Sequence, residues 1–243
     1  MIALPVLFPA SFGFVILYRR TPLTTTPVAL TAVRANPRIR VFIDYWNLQL
    51  TINERESTET HKKDVRFEID WRALPAWLAK KAAEITNIES YVFEGAVIHA
   101  SYDQNTSEGR KFNHWALGWL NRQPGIQVEC HLRRPRNPPK CTACHMPINT
   151  CPRNECGAHI AGTVEKGVDT AIATDMIRLA WEDAYDVGVL ASSDADLVPA
   201  VHFLDQKGKK VVQAGFPPTG VSLATACWAS FDIFASRDEI RRP

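Results

Sequence analysis

The feature that most constrains this chain is a regular alternation of short apolar runs with stretches of helical period. Arg40–Asp44, Ser90–Ala100, Gly125–Leu132, Asp186–Ala191 and Lys210–Ala214 are rich in β-branched and apolar residues and read as strands, with Trp228–Phe234 as a last one. Between them, Asp70–Glu84, Ser107–Asn121, Val168–Asp183 and Asp196–Gln206 space their apolar residues as half-buried helices do. Parallel strands need crossovers of this length, and apolar strands of this kind are covered on both faces. The pattern therefore predicts an α/β domain with a parallel sheet flanked by helices. Hydrophobic residues at 46% and charged residues at 22% can supply such a core, and they exclude disordered, collagen-like and coiled-coil chains.

Two segments fall outside the rhythm. Residues 1–37 hold an apolar run, Ile2 to Tyr18, broken by Pro5, Pro9 and Gly13, closed by Arg19-Arg20 and followed by a Thr/Pro-rich stretch. The run is short and interrupted for a spanning helix, and no basic residue precedes it as in a secretory signal. Three readings stay open: a weak membrane or export segment, a loosely docked tail, or residues appended by a misassigned start. Without a strong targeting signal, the cytoplasm is the expected location.

The second segment, Arg133–Gly162, reads as a Cys-rich insertion between a strand and the helix that should follow it. Cys141-x2-Cys144-x6-Cys151-x4-Cys156 has spacing suited to tetrahedral zinc, with His145 and His159 as alternative ligands. A disulfide pair, or cysteines without a role, are the competing readings. Cys130 and Cys227 read as strand or core residues. A block this small cannot bury a core, so structural zinc would supply its folding free energy. Arg133, Arg134, Arg136 and Lys140 lead into it. Between Arg110 and Lys166, nine Lys/Arg stand against three Glu in a chain of net charge +2, so the remainder is net acidic. Such an arm is either a solvated loop or a surface for phosphate backbones, with Tyr45, Trp46 and His131 as candidates to stack on bases.

Carboxylates recur at predicted strand ends, where parallel α/β sheets bind ligands. Asp44 closes the first strand, and Asp194 and Asp196 follow Val187–Leu190 through Ala191-Ser192-Ser193. Asp169 opens a helix, and at about 100° per residue it falls in the same arc as Ile172, Met176, Leu179 and Ala180, opposite Arg178 and Glu182. Asp175 lies on the flank of that arc and could simply pair with Arg178. Asp196 could be a helix N-cap. If these acids converge, their repulsion calls for a divalent cation, and oxygen ligands suit Mg2+ or Mn2+.

Val41-Phe42-Ile43-Asp44-Tyr45-Trp46-Asn47-Leu48, Lys166-Gly167-Val168-Asp169 with Thr174-Asp175-Met176, Leu190-Ala191-Ser192-Ser193-Asp194-Ala195-Asp196-Leu197-Val198-Pro199, and the later Gly208-Lys209-Lys210-Val211 together resemble the NYN domain. That family is a branch of the PIN-like, metal-dependent ribonucleases. The resemblance covers roughly residues 38–235. It implies a Rossmann-like (PIN-like) sheet with an acidic Mg2+/Mn2+ site formed by Asp44, Asp169, Asp194 and Asp196. Asn47 assists beside the first acid, and Asp175 is a less central member. Tyr45 and Trp46 stand where small residues are common, and the Cys-rich insertion is not a core element of the family.

The leading expectation is a metal-dependent endonuclease on single-stranded RNA, with Asp44, Asn47, Asp169, Asp194 and Asp196 at the reaction and Arg133, Arg134, Arg136, Lys140 and Lys166 on the RNA. A non-catalytic RNA- or protein-binding module is the alternative. A phosphatase using Asp44 as nucleophile is weaker, because Asp44-Tyr45-Trp46-Asn47 lacks a second aspartate two residues on.

Overall fold

The computed structural model describes residues 36–153, 156–160 and 162–243; the expectations for the amino-terminal segment fall outside the described residues. β1 (Arg38–Asp44) leads into α1 (Tyr45–Thr60), α2 (Leu74–Ile85), β2 (Val92–Tyr102), α3 (Ser107–Gly118) and β3 (Ile126–Leu132). A short pair, β4 (Arg134–Pro135) and β5 (Thr163–Val164), precedes α4 (Val168–Trp181). Then come β6 (Val187–Ala191), α5 (Val198–Gln206), β7 (Lys210–Gly215), α6 (Val221–Ala226) and β8 (Ala229–Asp232).

The main sheet runs β3-β2-β1-β6-β7-β8, with every neighbouring pair parallel. The chain builds outward from β1 through β2 to β3, then crosses back to place β6 on the other side of β1. In parallel α/β sheets a reversal of this kind places the binding crevice outside the strands' carboxyl ends, here those of β1 and β6.

Alternating side chains divide the core into two layers. Val41, Ile43, Ala96, Ile98 and Val128 pack with Leu48 and Ile52 of α1, Leu74 and Leu78 of α2, and Ala116 of α3. Phe42, Val97, Leu190 and Val211 pack on the opposite side with Val168, Ile172 and Met176 of α4, Val201 and Leu204 of α5, and Leu223 of α6.

Some elements depart from the sequence pattern. α1 was not expected, because Gln49 and Glu56 share its buried stripe with Leu48 and Ile52 and dilute the apolar period. Both polar groups find partners inside: the Gln49 amide donates to Asn53 Oδ1 (2.8 Å) and to the Phe67 carbonyl (3.0 Å), and Glu56 accepts from Arg237 (2.8 Å) and Arg241 (3.0 Å). The six-residue α6 also escapes the pattern. Asp196 does not cap α5. A 3-10 turn, Ala195–Leu197, comes first, and its cap is Asp194, which accepts from the Asp196 amide at 2.9 Å.

The insertion is clipped at its base by antiparallel β4 and β5, Arg134 facing Val164 and Pro135 facing Thr163. The Arg136 amide extends the clip to the Gly162 carbonyl (2.9 Å). Among the described residues, no helix is long and apolar enough to cross a membrane.

Candidate functional site

The crevice is built around the end of β1. Asp44 leaves the strand in extended conformation and caps α1, accepting from the Asn47 amide at 3.1 Å, which leaves it only 3% exposed. The Asn47 side chain accepts in turn from the Ser193 amide (3.0 Å), tying the start of α1 to the loop after β6. That loop is fixed further by the Asp194 amide donating to Ser192 Oγ (3.1 Å) and the Gln213 amide donating to the Ser192 carbonyl (3.0 Å). Gly220, at φ +78°, lies so close that a Cβ there would sit 2.9 Å from Ser193 Cα. Asp169 stands in the first turn of α4, just after Gly167 at φ +89°.

Electrostatics shows which acids are felt at Asp44 and Asp169. Burial, above all, pushes the Asp44 carboxyl up to about 7, with the charges of Glu165, Asp169 and Asp194 adding to it and the Asn47 amide opposing. Asp169 is raised for the same reasons: burial first, then Asp194, Glu165 and Asp196. Glu165 thus joins the predicted aspartates among the charges felt at Asp44 and Asp169. A divalent cation suits this set, since the donors are hard carboxylate oxygens whose mutual repulsion it would relieve.

Glu165 went unrecognised in the sequence because it precedes α4 in a segment without periodicity. It accepts from the Ser101 hydroxyl and lies 3.9 Å from Arg133 Nη2. Arg133 also donates to Ser101 Oγ (2.9 Å) and covers the Trp46 ring at 5.5 Å, so it is held within the domain. Arg134, Arg136, Lys140 and Lys166 are exposed. Tyr45 cannot stack on a base: it is buried against Trp71, rings 4.4 Å apart. Trp46 is half-buried, its indole donating to the Ser101 carbonyl at 2.6 Å.

Asp175 is more deeply buried than its flank position suggested, because that flank of α4 faces β2. It pairs with Arg178 (2.9 Å), and its other oxygen lies 3.3 Å from Nε2 of the fully buried His99. The latter two atoms are close but out of line for a hydrogen bond, so neither is satisfied. Burial foremost holds the His99 imidazole below its ordinary range, leaving it neutral at pH 7.

On the other side, His99 Nδ1 lies 3.3 Å from His131 Nε2 and 3.9 Å from a Glu129 oxygen. Among the described residues, His99, Glu129 and His131 form a group whose donor atoms all lie within 4.8 Å of one another. Glu129 and His131 stand two apart on one strand, a spacing that puts both on one face; His99 was concealed in an apolar run.

In the insertion, all six cysteines of the chain being free, Cys141 accepts from the amides of Cys144 and Ala143 and from the Cys144 thiol, which holds it below the ordinary thiol range. This is a donor suited to a soft cation. Cys144 and Cys156 are exposed and Cys151 half-buried; His145 is exposed, and His159 bridges to Thr150. Cys130 and Cys227 are partly buried and pack against the two core layers.

A family model for the NYN domain matches residues 38–233. No curated protein matches the chain. Among solved structures, a protein of unknown function from Vibrio parahaemolyticus RIMD 2210633 is 18% identical, with a TM-score of 0.47 over 82% of this chain and 93% of that one.

Proposed function

The chain belongs to the NYN domain family, of nuclease-like fold and PIN-like kinship, and on that premise we propose that it is a metal-dependent endoribonuclease acting on single-stranded RNA. One observation carries this reading: at the reversal of the sheet, burial and then the charges of neighbouring carboxylates, Asp194 in the loop after β6 among them, raise the proton affinity of Asp44 at the end of β1 and of Asp169 at the start of α4. Such repulsion is costly unless it serves to hold a cation.

Asp44, Asp169, Asp194 and Asp196 are the ligands for Mg2+ or Mn2+. A bound ion of this kind lowers the pKa of a water and stabilises charge on a phosphodiester. Asn47 sets the spacing of the site by bonding Asp44 through its amide and Ser193 through its side chain. Asp175 is a less central member of the set; it pairs with Arg178 and stands beside His99. The exposed Arg134, Arg136, Lys140 and Lys166 meet the phosphate backbone, while Arg133 holds Glu165 and Trp46 in place. Asp44, nearly buried, is reached only by a strand free to bend into the crevice, which favours unpaired RNA.

We assign residues 38–235 to this domain, with 133–162 as a structural zinc module hung from the clip. Four thiolates holding zinc call for a reducing environment, and we place the chain in the cytoplasm.

The test is cleavage of an unstructured RNA by the full chain with Mn2+. Asp194→Asn should lower the rate by at least ~10²-fold, the effect of losing a few kcal/mol of charge stabilisation. Unchanged cleavage by that variant, or RNA binding without any metal-dependent cleavage in wild type, would overturn the proposal.

A further inference from the structure

One strand away from Asp44 lies a second donor set that the acidic site does not use. We propose that His99 Nδ1, His131 Nε2 and a Glu129 carboxylate oxygen bind a divalent transition-metal ion of the zinc or cobalt class, separately from the aspartates.

The register of the sheet makes the set. His99 on β2 pairs with Glu129 on β3, and Ser101 pairs with His131, so three side chains converge on the α4 side of two neighbouring strands. Their separations approach those between the ligands of one metal. Two ligands about 2.0–2.1 Å from a tetrahedral ion stand about 3.3 Å apart, and the two imidazole nitrogens are 3.3 Å apart, with the carboxylate oxygen at 3.9 Å. With one proton between them the two nitrogens are merely hydrogen-bonded; a cation replaces that proton, which is released to solvent.

A carboxylate suited to the second shell stands close by. Metal-bound histidines generally donate their other ring N–H to a carboxylate, which fixes tautomer and orientation. Asp175 provides this carboxylate, 3.3 Å from His99 Nε2 and anchored by Arg178. His99 Nε2 and Asp175 Oδ2 are both buried without an aligned partner. The ring planes of His99 and His131 are within 13° of each other, and their centroids are 5.6 Å apart, so the facing nitrogens lie nearly in line. Seating an ion at Nδ1 requires His99 to turn out of that line, a rotation that can bring Nε2–H onto Asp175.

Access comes from the surface side, where Glu129 is 38% exposed and His131 is half-buried. Two imidazoles and one carboxylate favour zinc-like ions over Mg2+, and three protein ligands leave a position for water or a phosphate oxygen. Asp44 is the ladder partner of His99 on β1, so the two sites are about one strand spacing, ~4.8 Å, apart at the backbone.

The experiment is a Co2+ titration of the full chain after chelator treatment, followed by visible absorption. Wild type should show a nitrogen/oxygen-bound cobalt spectrum without thiolate charge transfer, alongside any thiolate-bound equivalent from the insertion. His131→Ala should weaken this equivalent by at least ~100-fold, and Asp175→Asn by ~10–100-fold, while Asp44→Asn and Cys141→Ser retain it. Glu129→Gln, at an exposed position, repeats the test should His131→Ala fail to fold. In wild type, Zn2+ should also shift the imidazole nitrogen resonances of His99 and His131. Equal cobalt stoichiometry and affinity in wild type and His131→Ala or Glu129→Gln, or unmoved imidazole resonances, would overturn the proposal. Neither result bears on RNA cleavage.

Discussion

Asp44→Asn offers a quantitative test of the crevice electrostatics. The folded-state pKa of Asp44, about 7, lies above the 3.8 of a free carboxyl. Between those values the folded chain keeps a proton that the unfolded chain has released. The stability due to this proton is fully present below about pH 4 and is lost as pH rises through 7. At 1.36 kcal/mol per unit, the loss approaches about 4 kcal/mol, and the near-complete burial of the group leaves little solvent screening to reduce it. Asparagine can still accept from the Asn47 amide and is as good a helix cap as aspartate. The variant should therefore match wild type near pH 4 and exceed it by about 4 kcal/mol at pH 8, when both are unfolded by urea with chelator present. Adding Mn2+ at pH 8 should narrow the gap by stabilising wild type, since an ion that binds the folded state alone adds RT ln(1 + [L]/Kd). A stability difference that stays constant from pH 4 to pH 8 would refute the reasoning.

Gly220→Ala places a Cβ 2.9 Å from Ser193 Cα at a backbone φ of +78°. It should cost about 2 kcal/mol in urea unfolding and reduce Mn2+-dependent cleavage by displacing the Asp194 loop. Asp186 is pushed down to about 2: burial opposes ionisation, but hydrogen bonds from the Arg38 side chain and amide, and the charges of Arg38 and Lys209, prevail. Its contribution is present above pH 4 and lost as pH falls through 2, so Asp186→Asn should cost about 1–2 kcal/mol at pH 7 and almost nothing near pH 2, the full shift being reduced because the side chain is 31% exposed. Cys141→Ser should remove one zinc per chain by metal analysis and expose the insertion to trypsin, while far-UV circular dichroism keeps the α/β signature.

The central strands β1, β6 and β7 were legible because each is buried along most of its length on both faces and reads as a nearly continuous apolar run; the edge strands β3 and β8 are only partly covered and were marked by their place in the alternation. The reversal between β1 and β6 was not legible, since strand order depends on contacts between segments far apart in sequence. α1 was hidden by Gln49 and Glu56, polar residues whose burial makes sense only once Phe67, Arg237 and Arg241 are in place around them. Among the acids, Asp44, Asp194 and Asp196 stood out because a strand end is a recognisable place, and Asp169 because helical geometry turns it inward. Glu165 and His99 lacked such a marker. Their partners, Ser101, Glu129, His131 and Asp175, belong to β2, β3 and α4 and meet only in the fold.

The clip of β4 and β5 carries a lasting consequence. The polypeptide departs and returns through a gap only one ladder wide, so whatever hangs beyond it places almost no geometric demand on the sheet. A longer or shorter appendage changes only a slowly growing closure entropy. Evolution, or an engineer, can therefore exchange the attachment at this point while leaving the sheet itself untouched.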